Sequence, residues 1–419
     1  MSEASRRFGR TAVPVEEARR RILAHAAPTG VESVPLLAAN GRVAAERVVA
    51  ADPVPHFRRS GMDGYAVRSA DTSGASSAAP VALRVVGEIA CGAVPEAALV
   101  PGTAMRVMTG AMLPEGADAV VMLEAAAAEA LSDGTPGVLL RRSAAPGANV
   151  SDVGSDVAAG TAVAEPGRRI GPSEIALLAT AGRTTVDVFR KPRVAILATG
   201  SELLPPGAPL VPGKIRNSNV YMVAAMIASA GAEPVPLQTA QDDMGAVAAA
   251  LKEGLATCDL AITTGGVSVG DYDVVTDLLH EWDGMLLFNK VQMRPGSVTS
   301  AAIREGKLLL ALSGNPGACF AGFELFARPA LRALQGDLRP APRTFEARLA
   351  EAFPKTNAYP RFVRGRWWSE GGALYCAAGG DDRSSRMLPG LGADCFVVIP
   401  PGGAGAPAGT IVTIVPLHT

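Results

Sequence analysis

The 419-residue sequence predicts a multidomain α/β plus β fold, in which a doubly wound, mostly parallel sheet is accompanied by two β-rich parts. Its length exceeds the roughly 100–200 residues of one ordinary domain. Strand and helix patterns alternate between residues 191 and 336, and short strand patterns divided by Pro/Gly turns lie on both sides of that segment. With 48% hydrophobic and 19% charged residues, the composition is that of a globular chain.

The alternating segment carries the parallel sheet. Apolar, β-rich runs predict strands at residues 194–198, 235–238, 260–264, 285–290 and 308–312. One-sided apolar patterns predict helices at residues 218–230, 243–255, 273–279 and 318–334. Ligands of such a sheet bind beyond the carboxyl ends of its strands, so the turns at those ends form the candidate site.

Three polar, glycine-bearing turns follow these strands: Thr199-Gly200-Ser201-Glu202, residues 263–273 (TTGGVSVGDYD) and Ser313-Gly314-Asn315. Glycines let backbone N–H groups approach an anion, and helix starts favour negative charge. Asp271 and Asp273 would repel a bare phosphate, so a Mg²⁺ bridge is the economical explanation. The second turn alone is equally well explained as a glycine-rich turn with an Asp N-cap. The three turns together predict a phosphorylated substrate held partly through a metal.

The flanking parts of the chain are β-rich. A helix is predicted at residues 15–26, and short alternating runs between about 52 and 156 predict a compact β module. After residue 340, further runs predict a small barrel or sandwich, with strands at 344–350, 361–368, 373–378, 395–399 and 410–415.

Charge and composition exclude several function classes. A net charge of −1 argues against general binding to nucleic acid or to a membrane surface. Neither a signal peptide nor an apolar run of membrane-span length is visible, so we expect a cytoplasmic protein without a membrane partner. Five cysteines without a CxxC pair fit buried thiols, and four scattered histidines argue against a zinc site or a Ser-His-Asp triad.

Two runs in the N-terminal β module are also informative. Asp63 lies between small and flexible residues of the run SGMDGYAVR, so we expect its carboxylate to be exposed at a turn. Thr109-Gly110 opens a short loop in residues 106–121. Taken singly, each of these runs is more typical of a structural turn than of a site.

Five runs in order resemble the MoeA family of molybdopterin molybdenumtransferases: SGMDGYAVR, MTGAMLPEGADAVVMLE, ATGSEL, TTGGVSVGDYD and SGNPGACFAGFELF. The resemblance extends from about residue 15 to the C-terminus. It implies a molybdenum insertase that converts adenylyl-molybdopterin and molybdate to molybdenum cofactor and AMP with the help of Mg²⁺. It further implies a homodimer, with a MogA-type adenylyltransferase and apo-molybdoenzymes as partners.

The resemblance also implies an elongated, L-shaped subunit. Its parts are an N-terminal helix (11–30) on a MogA-like domain (190–336), a small connecting domain (31–50 and 158–189), a projecting β-rich module (51–157) and a C-terminal β-barrel (340–419). In the dimer, the projecting module of one subunit is expected to approach the MogA-like domain of the other.

Matching motif positions imply roles for individual residues. Catalytic roles fall to Asp63, Thr109, Glu202, Asp273, Lys290 and Arg294. Pyrophosphate and pterin contacts fall to Thr199, Gly200, Ser201, Gly265, Gly266, Ser268, Gly270, Ser313, Gly314 and Asn315. Molybdate contacts fall to Arg294, Ser297, Ser313, Arg364 and Ser385. The Mg²⁺ ligands are Glu202, Asp242 or Asp243, Asp271 and Asp273.

Residues 290–298 depart from the family pattern of Lys, three residues and Lys-Pro-Gly-Lys. Lys290 agrees with it, Arg294 keeps the charge of the second lysine with a different geometry, and Ser297 replaces the third lysine. We therefore expect one cation fewer in the anion pocket. The consequence is weaker oxyanion binding, or recruitment of Arg364 or Arg386 from the C-terminal domain.

Other functions remain compatible with parts of the sequence. A MogA-like adenylyltransferase and a nucleotide pyrophosphatase of the competence-protein type share the glycine-rich turn, but MDGYAVR and the long N-terminal module argue against both. A non-catalytic scaffold stays open because of Ser297. So does a variant paralogue that uses tungstate or a modified pterin.

Overall fold

The computed structural model describes residues 11–238, 243–266, 278–279, 284–356, 358–380, 383–403 and 405–417. The helices are α1 (Val15–Leu23), α2 (Leu36–Ala39), α3 (Pro172–Thr180), α4 (Asn219–Ser229), α5 (Met244–Thr257), α6 (Pro316–Gly322) and α7 (Arg328–Leu334). A π-helical turn, Phe323–Ala327, joins α6 to α7. Over these parts of the chain, no helix has the length and apolar character needed to cross a bilayer.

The strands follow one another in chain order. They are β1 (Val31–Pro35), β2 (Val48–Val49), β3 (Arg59–Ser60), β4 (Gly64–Val67), β5 (Val81–Ile89), β6 (Thr103–Val107), β7 (Ala119–Met122), β8 (Ala126–Ala130), β9 (Pro136–Leu140), β10 (Val150–Ser151), β11 (Ala162–Ala164), β12 (Thr185–Phe189), β13 (Arg193–Ala198), β14 (Leu203–Leu204), β15 (Ile215–Arg216), β16 (Glu233–Pro236), β17 (Leu260–Thr264), β18 (Met285–Phe288), β19 (Ser300–Arg304), β20 (Lys307–Leu312), β21 (Phe345–Leu349), β22 (Arg361–Glu370), β23 (Ala373–Ala378), β24 (Cys395–Ile399) and β25 (Ile411–Pro416).

The chain divides into two compact units. The first contains the chain up to Glu46, Pro166–Gly171 and the chain from Thr185 onward. The second contains Arg47–Glu165 and Pro172–Thr184. The first unit carries the central sheet, called here the sheet domain, and the barrel formed by β21 to β25.

The sheet domain is built on a six-stranded sheet of order β16-β13-β17-β20-β19-β18. Strands β16, β13, β17 and β20 pair in parallel, and β19 pairs antiparallel with both β20 and β18, which confirms the predicted mostly parallel sheet. The register aligns Ala198 with Thr264 and Thr264 with Leu312. Three parallel strands therefore end at one level, and the turns that follow them meet at the same edge.

The predicted strands differ from the observed ones in two places. The second strand is Glu233–Pro236, shifted toward the N-terminus from the expected 235–238. Strand β19 was not predicted, although four of its five residues are buried. It begins shortly after the Pro-Gly turn at residues 295–296, which the family resemblance assigns to an anion pocket. Its short apolar run was therefore not recognised as a strand. Most of the helix predicted at 273–279 lies outside the described residues.

Side chains alternate between the two faces of the sheet, as the pleat requires. The even-numbered apolar residues of β13, β17 and β20 pack with α1, α4, α6 and α7 in one core, and the odd-numbered residues pack with α5 in another. Burial on both faces explains why these strands appear as continuous apolar runs in the sequence.

The C-terminal strands form a closed barrel of order β21-β23-β22-β24-β25, which decides between the barrel and the sandwich. In the second unit, a six-stranded sheet of order β7-β4-β6-β5-β9-β8 forms the expected β-rich module. Alternate residues of β4 pack into two separate clusters, with Tyr65 and Val67 in one and Ala66 in the other.

The cysteines are free thiols, and Cys258, Cys319, Cys376 and Cys395 are buried. Burial raises the pKa of the Cys319 thiol to about 12, so that this sulfur stays protonated and unreactive. Cys91 is exposed and departs from the expectation of buried thiols.

A buried ion pair joins the π-helical turn to α7. The Nε and Nη2 atoms of Arg328 each donate a 2.7 Å hydrogen bond to the carboxylate of Glu324, and both residues are less than a tenth exposed. Replacing Arg328 by Leu leaves the carboxylate buried and unpaired, so we expect the free energy of unfolding to fall by about 3–5 kcal/mol. Urea denaturation followed by circular dichroism measures this change.

The exposed pair between Arg20 and Glu17 supplies the control for this prediction. Replacing Arg20 by Leu should leave the urea midpoint unchanged because solvent already screens that pair. Replacing Arg328 and Glu324 together by Leu should restore part of the lost stability, since no charge then remains buried. Equal shifts for the Arg20 and Arg328 variants would contradict the assignment.

Candidate functional site

The carboxyl ends of β13, β17 and β20 open into a cavity of about 1270 Å³. Its walls come from both the sheet domain and the barrel: Thr199, Gly200, Glu202, Leu203, Ile215, Arg216, Asn217, Ser218, Asn219, Thr264, Gly265, Gly266, Arg294, Pro295, Gly296, Ser297, Val298, Ser313, Gly314, Asn315, Pro316, Ala318, Lys355, Arg361, Arg383, Ser384 and Ser385. All three polar turns that the sequence singles out contribute to this lining. The cavity thus lies beyond the carboxyl ends of the parallel strands, where the sequence predicts the site.

Glycines in two of the turns are required by the way the turns pack on each other. A Cβ at Gly265 would lie 2.6 Å from the carbonyl oxygen of Thr199, and the φ of Gly265 is +99°. A Cβ at Gly314 would lie 3.3 Å from the Cα of Gly265. The glycines therefore hold adjacent strand ends together, in addition to any approach of a ligand that they permit.

The start of α6 uses backbone donors within the protein. Gly317 N–H donates to the carbonyl of Ser384 over 2.8 Å, and Asn315 N–H donates to the hydroxyl of Ser313 over 3.2 Å. An anion at this helix start would have to compete with these acceptors. Binding of an anion to either of these two amides would therefore displace an existing hydrogen bond.

The cavity is strongly cationic. Among the lining residues that the structure describes, Glu202 is the only carboxylate. Five cationic side chains line the cavity: Arg216, Arg294, Lys355, Arg361 and Arg383. The described lining therefore has an excess of four positive charges. Such a cavity suits a polyanionic ligand, or two anions bound together.

Backbone hydrogen bonds fix the barrel against the sheet domain beside the cavity. Arg294 N–H donates to the carbonyl of Pro360 over 3.0 Å, and Phe362 N–H donates to the carbonyl of Arg294 over 2.7 Å. Together with the bond from Gly317 to Ser384, they hold two barrel segments against the loops of the sheet domain. The cavity is consequently a fixed feature of one compact unit.

Most of the predicted binding residues of the described chain meet at this cavity. The predicted residues that line it are Thr199, Gly200, Glu202, Gly265, Gly266, Arg294, Ser297, Ser313, Gly314, Asn315 and Ser385. Predicted residues that do not line it are Ser201, Asp243, Lys290 and Arg364. Asp242, Ser268, Gly270, Asp271 and Asp273 lie outside the described residues.

Two of the residues away from the lining have clear structural roles. Asp243 caps α5, because its Oδ1 accepts a 2.7 Å hydrogen bond from Ala246 N–H. Arg364 is 7% exposed, and its Nη2 donates to the carbonyl of Arg386 over 2.5 Å. Its guanidinium thus supports the 383–387 loop, which contributes Arg383, Ser384 and Ser385 to the cavity wall.

Several lining residues were not predicted. Lys355, Arg361 and Arg383 belong to the barrel, and the only sequence signal for the last of them is the polar run Arg383-Ser384-Ser385-Arg386. Asn219 is the first residue of α4, and its Nδ2 donates to the carbonyl of Gly314 over 2.8 Å. That bond fixes the orientation of the amide, and the buried Oδ1 has no hydrogen-bond partner among the residues that the structure describes.

The described residues do not form a metal site by themselves. Within the described ranges, no three His, Cys, Asp or Glu side chains lie close enough together to hold a metal ion. Of the two predicted Mg²⁺ ligands that the structure describes, Glu202 lines the cavity and Asp243 does not. A magnesium site here would need carboxylates from outside the described residues, and the sequence offers Asp242, Asp271 and Asp273.

In the second unit, the structure brings together two residues that the sequence singled out separately. The Oδ1 atom of Asp63 accepts hydrogen bonds from the backbone N–H of Thr109 over 2.6 Å and from its hydroxyl over 2.9 Å. The pKa of this exposed carboxyl lies below its usual range. The largest cause is the N–H bond from Thr109, followed by the bond from the Thr109 hydroxyl and the positive charge of Arg106. Asp63 is therefore an ionised, oriented acceptor at the surface of this unit.

Replacing Gly317 by Ala tests how the cavity wall is held. The new Cβ would lie 2.9 Å from the carbonyl oxygen of Ser384 and 3.0 Å from that of Arg386, so the loop must move away from α6. We expect faster hydrogen–deuterium exchange in residues 383–390, measured by mass spectrometry. Gly380→Ala, where a Cβ meets nothing within 4 Å, should leave the exchange unchanged. Identical exchange in the two variants would disprove this packing constraint.

Replacing Thr109 by Val removes one of the two hydrogen bonds that Asp63 accepts. The pKa of Asp63 should rise toward its usual range while remaining below it, because the backbone N–H bond is retained. Carboxyl carbon NMR titration measures the shift. Asp133 accepts the same pair of bonds from Thr135, so Thr135→Val is the matched control and should shift Asp133 alone. An unchanged Asp63 titration in the Thr109 variant would refute the assigned cause.

Comparisons with known proteins cover nearly the whole chain. Family models match in three consecutive parts: the MoeA N-terminal region (domains I and II) at residues 13–182, the probable molybdopterin binding domain at 195–333, and the MoeA C-terminal region (domain IV) at 346–417. The cavity wall therefore combines residues of the second and third matched regions.

Full-length relatives agree with these matches. The molybdopterin molybdenumtransferase of Bacillus subtilis (strain 168) is 43% identical over 405 residues, which cover 97% of this chain and 94% of the relative. That of Staphylococcus aureus (strain MRSA252) is 39% identical over 406 residues, covering 97% and 96%. The crystal structure of the molybdopterin biosynthesis MoeA protein from Pyrococcus horikoshii OT3 has a TM-score of 0.81 at 29% identity, covering 97% of this chain and 100% of that one. The chain thus belongs to the MoeA family.

Proposed function

We propose that this protein is a molybdopterin molybdenumtransferase, which converts adenylyl-molybdopterin and molybdate to molybdenum cofactor and AMP in a Mg²⁺-dependent reaction. Full-length relatives with that name support the activity. The observation that carries the proposal is the cationic cavity at the carboxyl edge of the parallel sheet. We further propose that the enzyme acts in the cytoplasm as a homodimer.

The charge of the cavity supports this pair of substrates. Adenylyl-molybdopterin carries a pyrophosphate linkage with two negative charges, and molybdate is a tetrahedral dianion. The excess of four positive charges in the described lining attracts both anions. A cavity of about 1270 Å³ also exceeds what a single small ligand needs.

Different parts of the wall suit the two substrates. The turns of β13, β17 and β20 carry Thr199, Gly265 and Ser313, which we assign with their neighbours to the pyrophosphate and pterin. Arg294 and Ser297, with Ser313, Ser385 and the supporting Arg364, are assigned to molybdate. Cationic and hydroxyl donors of this kind bind a tetrahedral oxyanion through charge-assisted hydrogen bonds.

Glu202 and the carboxylates outside the described residues are assigned to Mg²⁺. When bound, Mg²⁺ supplies Lewis-acid chemistry that neutralises the pyrophosphate and stabilises the AMP leaving group. A Cβ at Gly200 would lie 2.5 Å from a carboxylate oxygen of Glu202, so this glycine allows the Glu202 side chain to fold back over the turn. Asp63, Thr109, Lys290 and Asp273 keep the catalytic roles that the family motifs imply.

AMP release from adenylyl-molybdopterin is the decisive measurement. We expect release, followed by liquid chromatography, to require both molybdate and Mg²⁺, and chelation with EDTA to abolish it. Glu202→Gln should lower turnover about tenfold or more, because it removes a charge from the proposed metal site. Glu253→Gln, on the exposed side of α5, is the matched control and should remain active. A folded wild-type protein that releases no AMP would favour the scaffold function, and full activity of Glu202→Gln would remove Glu202 from the metal site.

Parallel reactions with tungstate distinguish the variant paralogue. The two oxyanions have the same charge and nearly the same size, so cavity charge does not separate them. Faster AMP release with tungstate than with molybdate would assign the protein to tungsten chemistry.

A further inference from the structure

The cations of the cavity come from two sources. Arg216 and Arg294 belong to the sheet domain, whereas Lys355, Arg361 and Arg383 belong to the barrel segments. The pocket-lining segment 294–298 supplies only one charge, since Ser297 is neutral. Most of the positive charge therefore lies on the barrel side of the cavity.

Backbone hydrogen bonds position two of the barrel cations. Arg361 is flanked by Pro360, which accepts from Arg294 N–H over 3.0 Å, and by Phe362, which donates to the Arg294 carbonyl over 2.7 Å. Arg383 directly precedes Ser384, whose carbonyl accepts from Gly317 N–H over 2.8 Å. Each cation thus lies one residue from a bond to the opposite wall. The main chain at these positions therefore loses little freedom when an anion binds, and the ordering cost falls on the side chains.

The chemistry of this side suits a tetrahedral dianion. Arg383 is followed by Ser384 and Ser385, and all three line the cavity together with Ser297. Arginine presents a planar fork of donors, and hydroxyl groups add single donors around it. Along the described lining, the only carboxylate is that of Glu202, in the turn after β13, so none comes from residues 294–298 or from the described residues of the barrel segments.

We infer that Arg383 is an oxyanion-binding residue of the cavity, and that it supplies from the barrel the positive charge that Ser297 does not provide. This inference rests on the proposed function in taking molybdate as the oxyanion. Arg364 acts as a positioning residue for the same loop, because it donates to the carbonyl of Arg386 from behind the wall.

Molybdate binding to the full-length protein, measured by isothermal titration calorimetry without a pterin substrate, tests the inference. Arg383→Gln should raise the Kd for molybdate about ten- to a hundredfold, which corresponds to the loss of one charged hydrogen bond. Arg383→Lys should retain most of the affinity because the charge remains. Arg348→Gln is the matched control: this exposed arginine of β21 lies outside the cavity lining, bonded to the Gly409 carbonyl, and its loss should change nothing.

A compensating substitution makes the test specific to position. Ser297→Lys returns a cation to the sheet-domain side, so the double variant Ser297→Lys/Arg383→Gln should recover much of the affinity lost in Arg383→Gln. Thermal unfolding of each variant shows that the fold is kept. Unchanged molybdate affinity in Arg383→Gln, equal weakening in Arg348→Gln, or a wild-type protein that binds no molybdate would each overturn the inference.

These outcomes are separable from the fate of the proposed function. Molybdate binding that depends on Arg383, in a protein that releases no AMP, would support the inference while rejecting the insertase. Molybdate-dependent AMP release, with unchanged molybdate affinity in Arg383→Gln, would support the insertase and reject the inference.

Discussion

The level ends of three parallel strands are the constraint on which the rest of the site depends. Because Ala198, Thr264 and Leu312 are in register, the turns that follow them must share one edge of the sheet. Their close approach leaves no space for a Cβ at Gly265, whose nearest neighbour is the Thr199 carbonyl. A shift of one strand by a single residue would invert its buried face and separate the turns. Folding and the geometry of the cavity are therefore set by the same pairing.

The second determinant of the site is the join between sheet domain and barrel. Hydrogen bonds from Arg294 to Pro360 and from Gly317 to Ser384 connect segments that lie far apart along the chain. They bring barrel residues into the wall of the cavity beside the strand turns. The barrel thereby contributes to the cavity wall. A small closed barrel at the C-terminus does not by itself indicate such a contribution.

The sequence predicted those parts of the site that depend on local patterns. Apolar runs that precede Thr199, Gly265 and Ser313 predict strands followed by turns. Because ligands of a parallel sheet bind beyond the carboxyl ends of its strands, these turns were expected to form one site. The barrel cations escaped prediction because tertiary packing alone brings Arg361 and Arg383 to the cavity that Arg294 lines. Strand β19 was missed for a related reason, since its apolar run is too short to stand out beside a Pro-Gly turn. The compensating charge was expected from Arg364 or Arg386, whereas Arg383 is the arginine of that loop that lines the cavity.

The bond from Gly317 to the Ser384 carbonyl has a consequence for how the site can change over evolutionary time. With that helix-start amide already occupied, the proposed recognition of the anion would use side chains, and Arg383 and Ser385 lie on a loop outside both sheet cores. Substitutions in this loop can alter which oxyanion is preferred, or how tightly it is held, without disturbing a buried strand. Under the proposed function, residues that set the oxyanion preference would therefore be separate from those that stabilise the sheet.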